Sequence, residues 1–210
     1  MIRVAPSILD VSEDVNAYLK KIRNADAVHI DIIDGKFVRG KRPGRNMWAN
    51  DVKKLRTTLT KHVHLMIQNP ERHVTRFIKA GADVISFHLE ATRHPKKVIE
   101  TIRKHKKKVC LAMNPETSIA KIKPYLKDID QLLIMSVHPG KGGQRFLRSV
   151  LPKIKKLRKI FKGPIEVDGG INVQTGRLAV RAGASHLVSG VHILHHPNPR
   201  KAVEELRRIR

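Results

Sequence analysis

Four side chains of this 210-residue chain have the types and spacing to hold a metal ion beside a proton-transfer site: His29, Asp31, His64 and Asp168. His29 and Asp31 lie in Val28–Gly35, a stretch that reads as a strand. At a period of two, His29, Asp31 and Ile33 point one way, and Ile30, Ile32 and Asp34 the other. A carboxylate inside an otherwise apolar strand is costly unless it is paired or bound to a metal. His64, followed by Leu65 and Met66, sits in a later strand as His29 does in its own, and Asp168 ends Ile165–Val167, taken here as an apolar run. Two imidazoles and two carboxylates suit a divalent Zn, Fe, Mn or Co ion, one per subunit. Any one of these histidines alone reads as a hydrogen-bonded core residue; four such groups converging on one point read as a site. Two Asp beside a metal suggest proton chemistry next to a carbonyl. A metal bridging a carbonyl and a neighbouring hydroxyl acidifies the C–H between them and stabilises an enediolate. One Asp removes the proton and the other returns one, and carboxylates on opposite faces invert the centre.

Glycines mark the other half of the chemistry. Gly140, Gly142 and Gly143 follow the sixth β-like run, Gly169-Gly170 the seventh and Gly190 the eighth. Glycine turns let backbone N–H groups approach an anion closely, so three in consecutive units point to a phosphorylated substrate.

The elements that must position these residues alternate from end to end. Expected strands are Ile2–Leu9, Ala27–Ile33, His62–Ile67, Asp83–His88, Lys108–Met113, Gln131–Val137, Pro164–Val167 and Ser185–Ser189. Between and after them, helices are expected over Glu13–Arg23 with Ser12 as cap, Ala49–Leu59, Pro70 to Gly81, Pro95–His105, Ser118–Tyr125, Arg145–Phe161, Val173–Ala182 and Pro199–Arg208, with a basic loop over Val38–Asn46. Eight βα units without hairpin signals predict a single (β/α)8 TIM barrel over residues 1–210, with a doubly wound open sheet as the runner-up. The active site of such a barrel lies at the C-terminal end of its strands. Ser7, His29, Asp31, Asp34, His64, Met66, His88, Glu90, Asn114, His138 and Asp168 are the residues expected there, whereas His62, His73, His94, His105, His195 and His196 read as surface residues.

Composition narrows the class. A hydrophobic content of 40% and a charged content of 29% describe a globular chain. No apolar run is long enough to span a membrane, the start Met1–Pro6 does not read as a signal peptide, and the lone Cys110 fits a reducing cytoplasm. The net charge of +25 is unusual, with runs at Lys20-Lys21, Lys41-Arg42, Lys53-Lys54, Lys106–Lys108 and Lys155-Lys156. It raises the reading of a barrel that binds nucleic acid. Few aromatics and no nucleic-acid motif favour a solvated basic surface instead.

Five segments carry a resemblance to a known family: Ala5–Leu9, His29–Val38, His64–Met66, His138–Phe146 and Val167–Ile171. In this order they resemble ribulose-phosphate 3-epimerases. The resemblance implies interconversion of D-ribulose 5-phosphate and D-xylulose 5-phosphate. It implies His29, Asp31, His64 and Asp168 as metal ligands and Asp31 and Asp168 as the acid/base pair. It further implies that Ser7 and His64 contact substrate, that Met66 and Met135 line the reacting carbon, and that the turns at Gly140, Gly142, Gly143, Gly169, Gly170 and Gly190 hold the phosphate. A homo-oligomer is the expected assembly. The chain departs from the family's usual residues at Ile33, where Met is usual; at Arg39-Gly40, where Pro-Asn is usual; at Lys141, where Phe is usual; and at Val191, where a Ser hydroxyl is usual. Lys141 reads either as a phosphate contact or as one more surface cation. Allulose-6-phosphate 3-epimerase, a relative with the same chemistry, is the alternative. Decarboxylases and hexulose-phosphate synthases resemble the phosphate half, but their Asp-x-Lys-x-x-Asp pattern is absent, because Asp31 is followed by Ile32, Ile33 and Asp34.

Overall fold

Side-chain parity along each strand decides what faces the barrel axis and what faces the helices. The computed structural model describes residues 1–38 and 47–210. It runs β1 Arg3–Pro6, α1 Val15–Lys21, β2 Ala27–Ile33, α2 Ala49–Lys54, β3 Thr60–Met66, α3 Val74–Lys79, β4 Val84–His88, α4 Pro95–Lys104, β5 Lys108–Met113, α5 Ile119–Ile122, β6 Gln131–Met135, α6 Leu151–Ile160, β7 Ile165–Asp168, α7 Val173–Ala182, β8 His186–Ser189, α8 Val191–Leu194 and α9 Pro199–Arg207. The strand order is β1-β8-β7-β6-β5-β4-β3-β2, and every pair is parallel. β1 meets β2 through the parallel Ser7–His29 bridge and the 3.1 Å bond from Ile8 N–H to His29 O, which brings the ring together. An open doubly wound sheet would keep two free edges, so the runner-up is excluded.

In β2, Val28, Ile30 and Ile32 join the large core between strands and helices, while His29, Asp31 and Ile33 turn inward. A smaller apolar cluster fills the barrel from the β4–β6 side: Val84, Cys110, Ala112, Leu133, Met135 and Val137. The inward ionisable residues His29, Asp31, His62, His64, Glu166 and Asp168 lie on β2, β3 and β7, with Ser86 and His88 of β4 and Gln131 of β6 packed against them. The helices cover the outside by ordinary amphipathic spacing. In α4, Pro95, Val98, Ile99 and Ile102 are buried at i, i+3, i+4 and i+7, with lysines on the outer face. Burial of each such large aliphatic side chain contributes roughly 1.5–3 kcal/mol.

The differences from expectation are mostly at helix ends. Asp14, not Ser12, caps α1, its Oδ1 accepting from Ala17 N–H at 2.8 Å. α2 stops at Lys54, with Leu55 already extended. The segment after Pro70 is a 3₁₀ turn, Pro70–Arg72, before α3 begins. α6 starts only at Leu151, because Leu147 N–H bonds back to Ser136 O at 2.8 Å and holds the preceding loop extended. The short α8, absent from the sequence expectation, begins directly after Gly190. From Arg39 to Asn46 the expected basic loop, with its Arg39-Gly40 departure and the Lys41-Arg42 run, lies outside the described residues. No helix among the described residues is long and apolar enough to cross a membrane.

Candidate active site

Parallel register sets Asp31 of β2 beside His64 of β3, and Met135 of β6 beside Asp168 of β7. His29 Nε2 lies 3.2 Å from His64 Nδ1 and 3.4 Å from Asp31 Oδ1, with Asp168 Oδ2 at 3.6 Å. His64 Nδ1 is 3.1 Å from Asp31 Oδ1 and 3.8 Å from Asp168 Oδ2. Ligands at 2.0–2.1 Å around a tetrahedral ion are about 3.3 Å apart. The four donor atoms, all within 4.8 Å of one another, therefore fit one transition-metal ion. His29, Asp31 and His64 are buried and Asp168 is partly exposed, so the set meets solvent chiefly at Asp168.

Each donor is held from behind. Ser7 Oγ donates to Asp31 Oδ2 at 2.7 Å, which leaves Oδ1 for the cluster. His64 Nε2 is 2.9 Å from His88 Nε2, and the two rings stack with centroids 5.0 Å apart. His88 Nδ1 in turn is 3.5 Å from Glu90 Oε2. Glu90 also accepts from Asn114 N–H at 2.9 Å and from the Thr117 hydroxyl. His88 and Glu90 thus orient His64, as outer partners orient ligating imidazoles.

The two aspartates ionise differently. Burial opposes charge on Asp31, but the charge of His29 and hydrogen bonds from His29 and His64 outweigh it and hold the carboxyl well below the usual range. Burial pushes Asp168 up to about 7, with the charges of Asp31 and Glu166 adding to the rise and that of His29 opposing it. His29 is raised to about 9: burial opposes its proton, while Asp31, Asp168 and Glu166 favour it. Burial drives His64 down to about 3.

A cleft opens above this set. Ser7, Asp31, Met66, Met135 and Asp168 line it together with Gly140, Gly142, Gly143, Gly169, Gly170 and Gly190, and with Lys141 and Val191. Gly140, Gly142, Gly169 and Gly170 leave no room for a Cβ. A Cβ on Gly142 would overlap the Asp10 carboxylate, and Gly170, at φ +62°, would set one 2.6 Å from the backbone nitrogen of Phe146.

The Ribulose-phosphate 3 epimerase family model matches residues 3–194. Ribulose-phosphate 3-epimerase of Bacillus subtilis is 41% identical, over 99% of this chain and 99% of its own length. The chain belongs to the ribulose-phosphate 3-epimerase family. That makes it an epimerase, and so an isomerase, by descent. A second family member, the Methanocaldococcus jannaschii ribulose-phosphate 3-epimerase, is 38% identical over 99% of this chain and 90% of that one. Among solved structures, 3-hexulose-6-phosphate synthase from Salmonella typhimurium superposes with a TM-score of 0.74 at 17% identity, covering 100% of this chain and 98% of that one. At such low identity that likeness speaks for the barrel alone.

Some sequence readings of this epimerase need correction. His62 is no surface residue: it lies inside the barrel, 2% exposed, with Nδ1 3.2 Å from Glu166 Oε2. Glu166 itself interrupts the run taken as apolar, and is 1% exposed. Both could have been found by the parity that joined His29 to Asp31, since His62 and Glu166 stand two residues before His64 and Asp168. Asp34 faces away from the cluster and holds the turn after β2, accepting from the N–H groups of Lys36, Phe37 and Gln68. His138 is exposed beside Glu116 and does not line the cleft. Asp10, Gln144 and His192 do line it, and were not foreseen.

Proposed function

We propose that this epimerase interconverts D-ribulose 5-phosphate and D-xylulose 5-phosphate by metal-dependent inversion at C3. The observation that carries the reading is the convergence of Asp31 and Asp168 with His29 and His64 at one cleft, where in metal-free protein their surroundings hold one carboxyl ionised and drive the other toward its protonated form. Environments that push two neighbouring acids apart are the mark of an acid/base pair. A divalent ion held by His29, Asp31, His64 and Asp168 would supply Lewis-acid stabilisation of negative charge on the substrate oxygens.

The chain's own groups do the rest. Asp31 takes the C3 proton on one face, leaving the electron pair in the enediolate, and Asp168 delivers its proton to C3 on the other. The reverse reaction exchanges the roles. Ser7 keeps Asp31 in register, since its bond occupies the oxygen turned away from the ligands. Met66 and Met135 present uncharged thioethers to the reacting carbon and exclude water from it. The backbone N–H groups of the Gly142-Gly143, Gly169-Gly170 and Gly190 turns bind the phosphate, a role supported by the presence of these turns in the same cleft as the acid/base pair.

The test is turnover of purified protein on ribulose 5-phosphate and allulose 6-phosphate, with and without chelator and with metal content measured. Turnover of the pentose that is lost with the metal is the expected result. Faster turnover of the hexose would replace the substrate, and full activity in metal-free protein would remove the ion from the mechanism. Asp31→Asn and Asp168→Asn should each abolish epimerisation while one still exchanges the C3 proton with solvent. Epimerisation retained in either variant would refute the two-face assignment.

A further inference from the structure

A second convergence of ligating groups lies beneath the four-residue set; it shares His29 with that set, and its His62 and Glu166 have no part in the proposed epimerisation. His62 on β3 and Glu166 on β7 point into the barrel one layer nearer its N-terminal end. A donor atom from each, and one from His29, lie within 4.8 Å of one another, and all three residues are buried. The His62 Nδ1 to Glu166 Oε2 separation of 3.2 Å matches the edge of about 3.3 Å expected between ligands of a tetrahedral ion. His62 Nε2 is 3.1 Å from Ser86 Oγ, so that nitrogen can carry the ring proton and leave a lone pair on Nδ1. Gln131 Nε2 donates to Glu166 Oε2 at 2.8 Å. Outer partners of this kind hold the ligands of metal sites.

An independent observation concerns His29. Its Nε2 is turned to Asp31 and His64, and its Nδ1 is buried without a hydrogen-bond partner. A buried polar atom left without a partner is costly. We propose that His29 Nδ1, His62 Nδ1 and Glu166 bind a second divalent transition-metal ion, with His29 bridging the two sites. The bridging rests on the upper set holding its own ion through His29 Nε2, and it takes the last N–H proton of that ring to solvent. Two nitrogens and one carboxylate select borderline ions such as Zn, Fe or Co over Mg or Ca. The ion has its own way in. A cleft at the N-terminal end of the barrel is lined by His62, Glu166, Gln131, Asp130 and His186, with Arg3 and Lys108 also in its wall, and it offers a route separate from the substrate cleft.

The test is titration of metal-free protein with Co²⁺, counted per chain by equilibrium dialysis and followed by the visible absorption of the ion. The parent should bind two equivalents, and Glu166→Gln and His62→Phe one each, with the circular dichroism of both variants unchanged. One equivalent in the parent overturns the lower site and leaves the upper one standing; none overturns both. Two equivalents retained in both variants would place the second ion elsewhere and also overturn the proposal. The parent loaded with Cu²⁺ decides without any variant. Ions joined by an imidazolate couple, so the second equivalent should reduce the paramagnetic resonance intensity. An intensity that doubles overturns the bridge.

Discussion

Asp31 and Asp168 carry the same functional group, and their surroundings make them different acids. The folded protein raises Asp168 from 3.8 to about 7, mainly by burial. A carboxyl raised on folding stabilises the fold fully below its unfolded value, and that contribution is lost as pH climbs through the folded one. In metal-free protein, the stability of the parent relative to Asp168→Asn should therefore fall as pH rises from 3.8 to about 7. His64, held down to about 3, tilts the whole profile the other way, so the difference between the two proteins is the quantity to read. Melting temperatures against pH in chelator measure it, and parallel curves would rule out Asp168 as the source. Lys141 is exposed in the wall of the cleft near the turns proposed to bind phosphate, where Val191 offers no hydroxyl. If its ammonium meets the phosphate, Lys141→Ala should raise KM more than it lowers kcat, because ground and transition states carry the same phosphate. A charge-assisted contact of roughly 1.5–3 kcal/mol corresponds to about ten- to a hundredfold in KM where KM tracks binding. Added salt should narrow the gap. An unchanged KM at low salt would assign Lys141 to the general basic surface.

One helix start holds the Gly169-Gly170 turn, part of the proposed phosphate site. Asn172 Oδ1 accepts from Gln174 N–H at 2.9 Å and from Thr175 N–H at 3.0 Å, which caps α7. Thr175 Oγ1 accepts from Asn172 N–H at 2.9 Å and donates to Gly170 O at 2.8 Å, so the same cap ties down the Gly169-Gly170 turn. Loss of a cap of this kind costs about 1 kcal/mol. Asn172→Ala should lower stability by that amount and raise KM for the sugar phosphate, while Asn172→Asp, which keeps the acceptor, should retain most of both. Chemical denaturation and steady-state kinetics on the two variants check it. A stability loss with KM unmoved would separate the cap from the turn.

At the scale of the whole molecule, 43 Lys and Arg face 18 Asp and Glu. Among the described residues, the ion pairs of Lys or Arg with a carboxylate are Lys21–Glu13, Lys107–Asp83 and Arg207–Asp26. Lys20, Lys53, Lys54, Lys155 and Lys156 are exposed on the helices or their ends. Like charges this dense repel across the surface, so the folded state should gain from screening. The melting temperature should rise as sodium chloride is added from a few millimolar to several hundred. A flat or falling curve would mean that the charges are already compensated. The same charge makes nucleic-acid association a matter of ionic strength: a gel shift that vanishes at physiological salt would mark it as non-specific attraction.

Much of this was legible in the chain itself. Period-two parity along Val28–Gly35 brought His29 and Asp31 to one face, and alternating runs predicted eight βα units, because both follow from local backbone geometry. The segments Ala5–Leu9, His64–Met66 and Val167–Ile171 carried the family resemblance residue by residue. The interior of the barrel was less legible. His62 and Glu166 lie 104 positions apart in sequence and meet only because β3 and β7 face a common axis. A histidine and a glutamate taken singly are ordinary surface residues, and it is the closed ring that removes them from water and forces them on each other. The unlike ionisation of Asp31 and Asp168 has the same origin. It depends on burial and on the distances to His29 and His64, quantities that exist only once strands far apart in sequence have been brought into register.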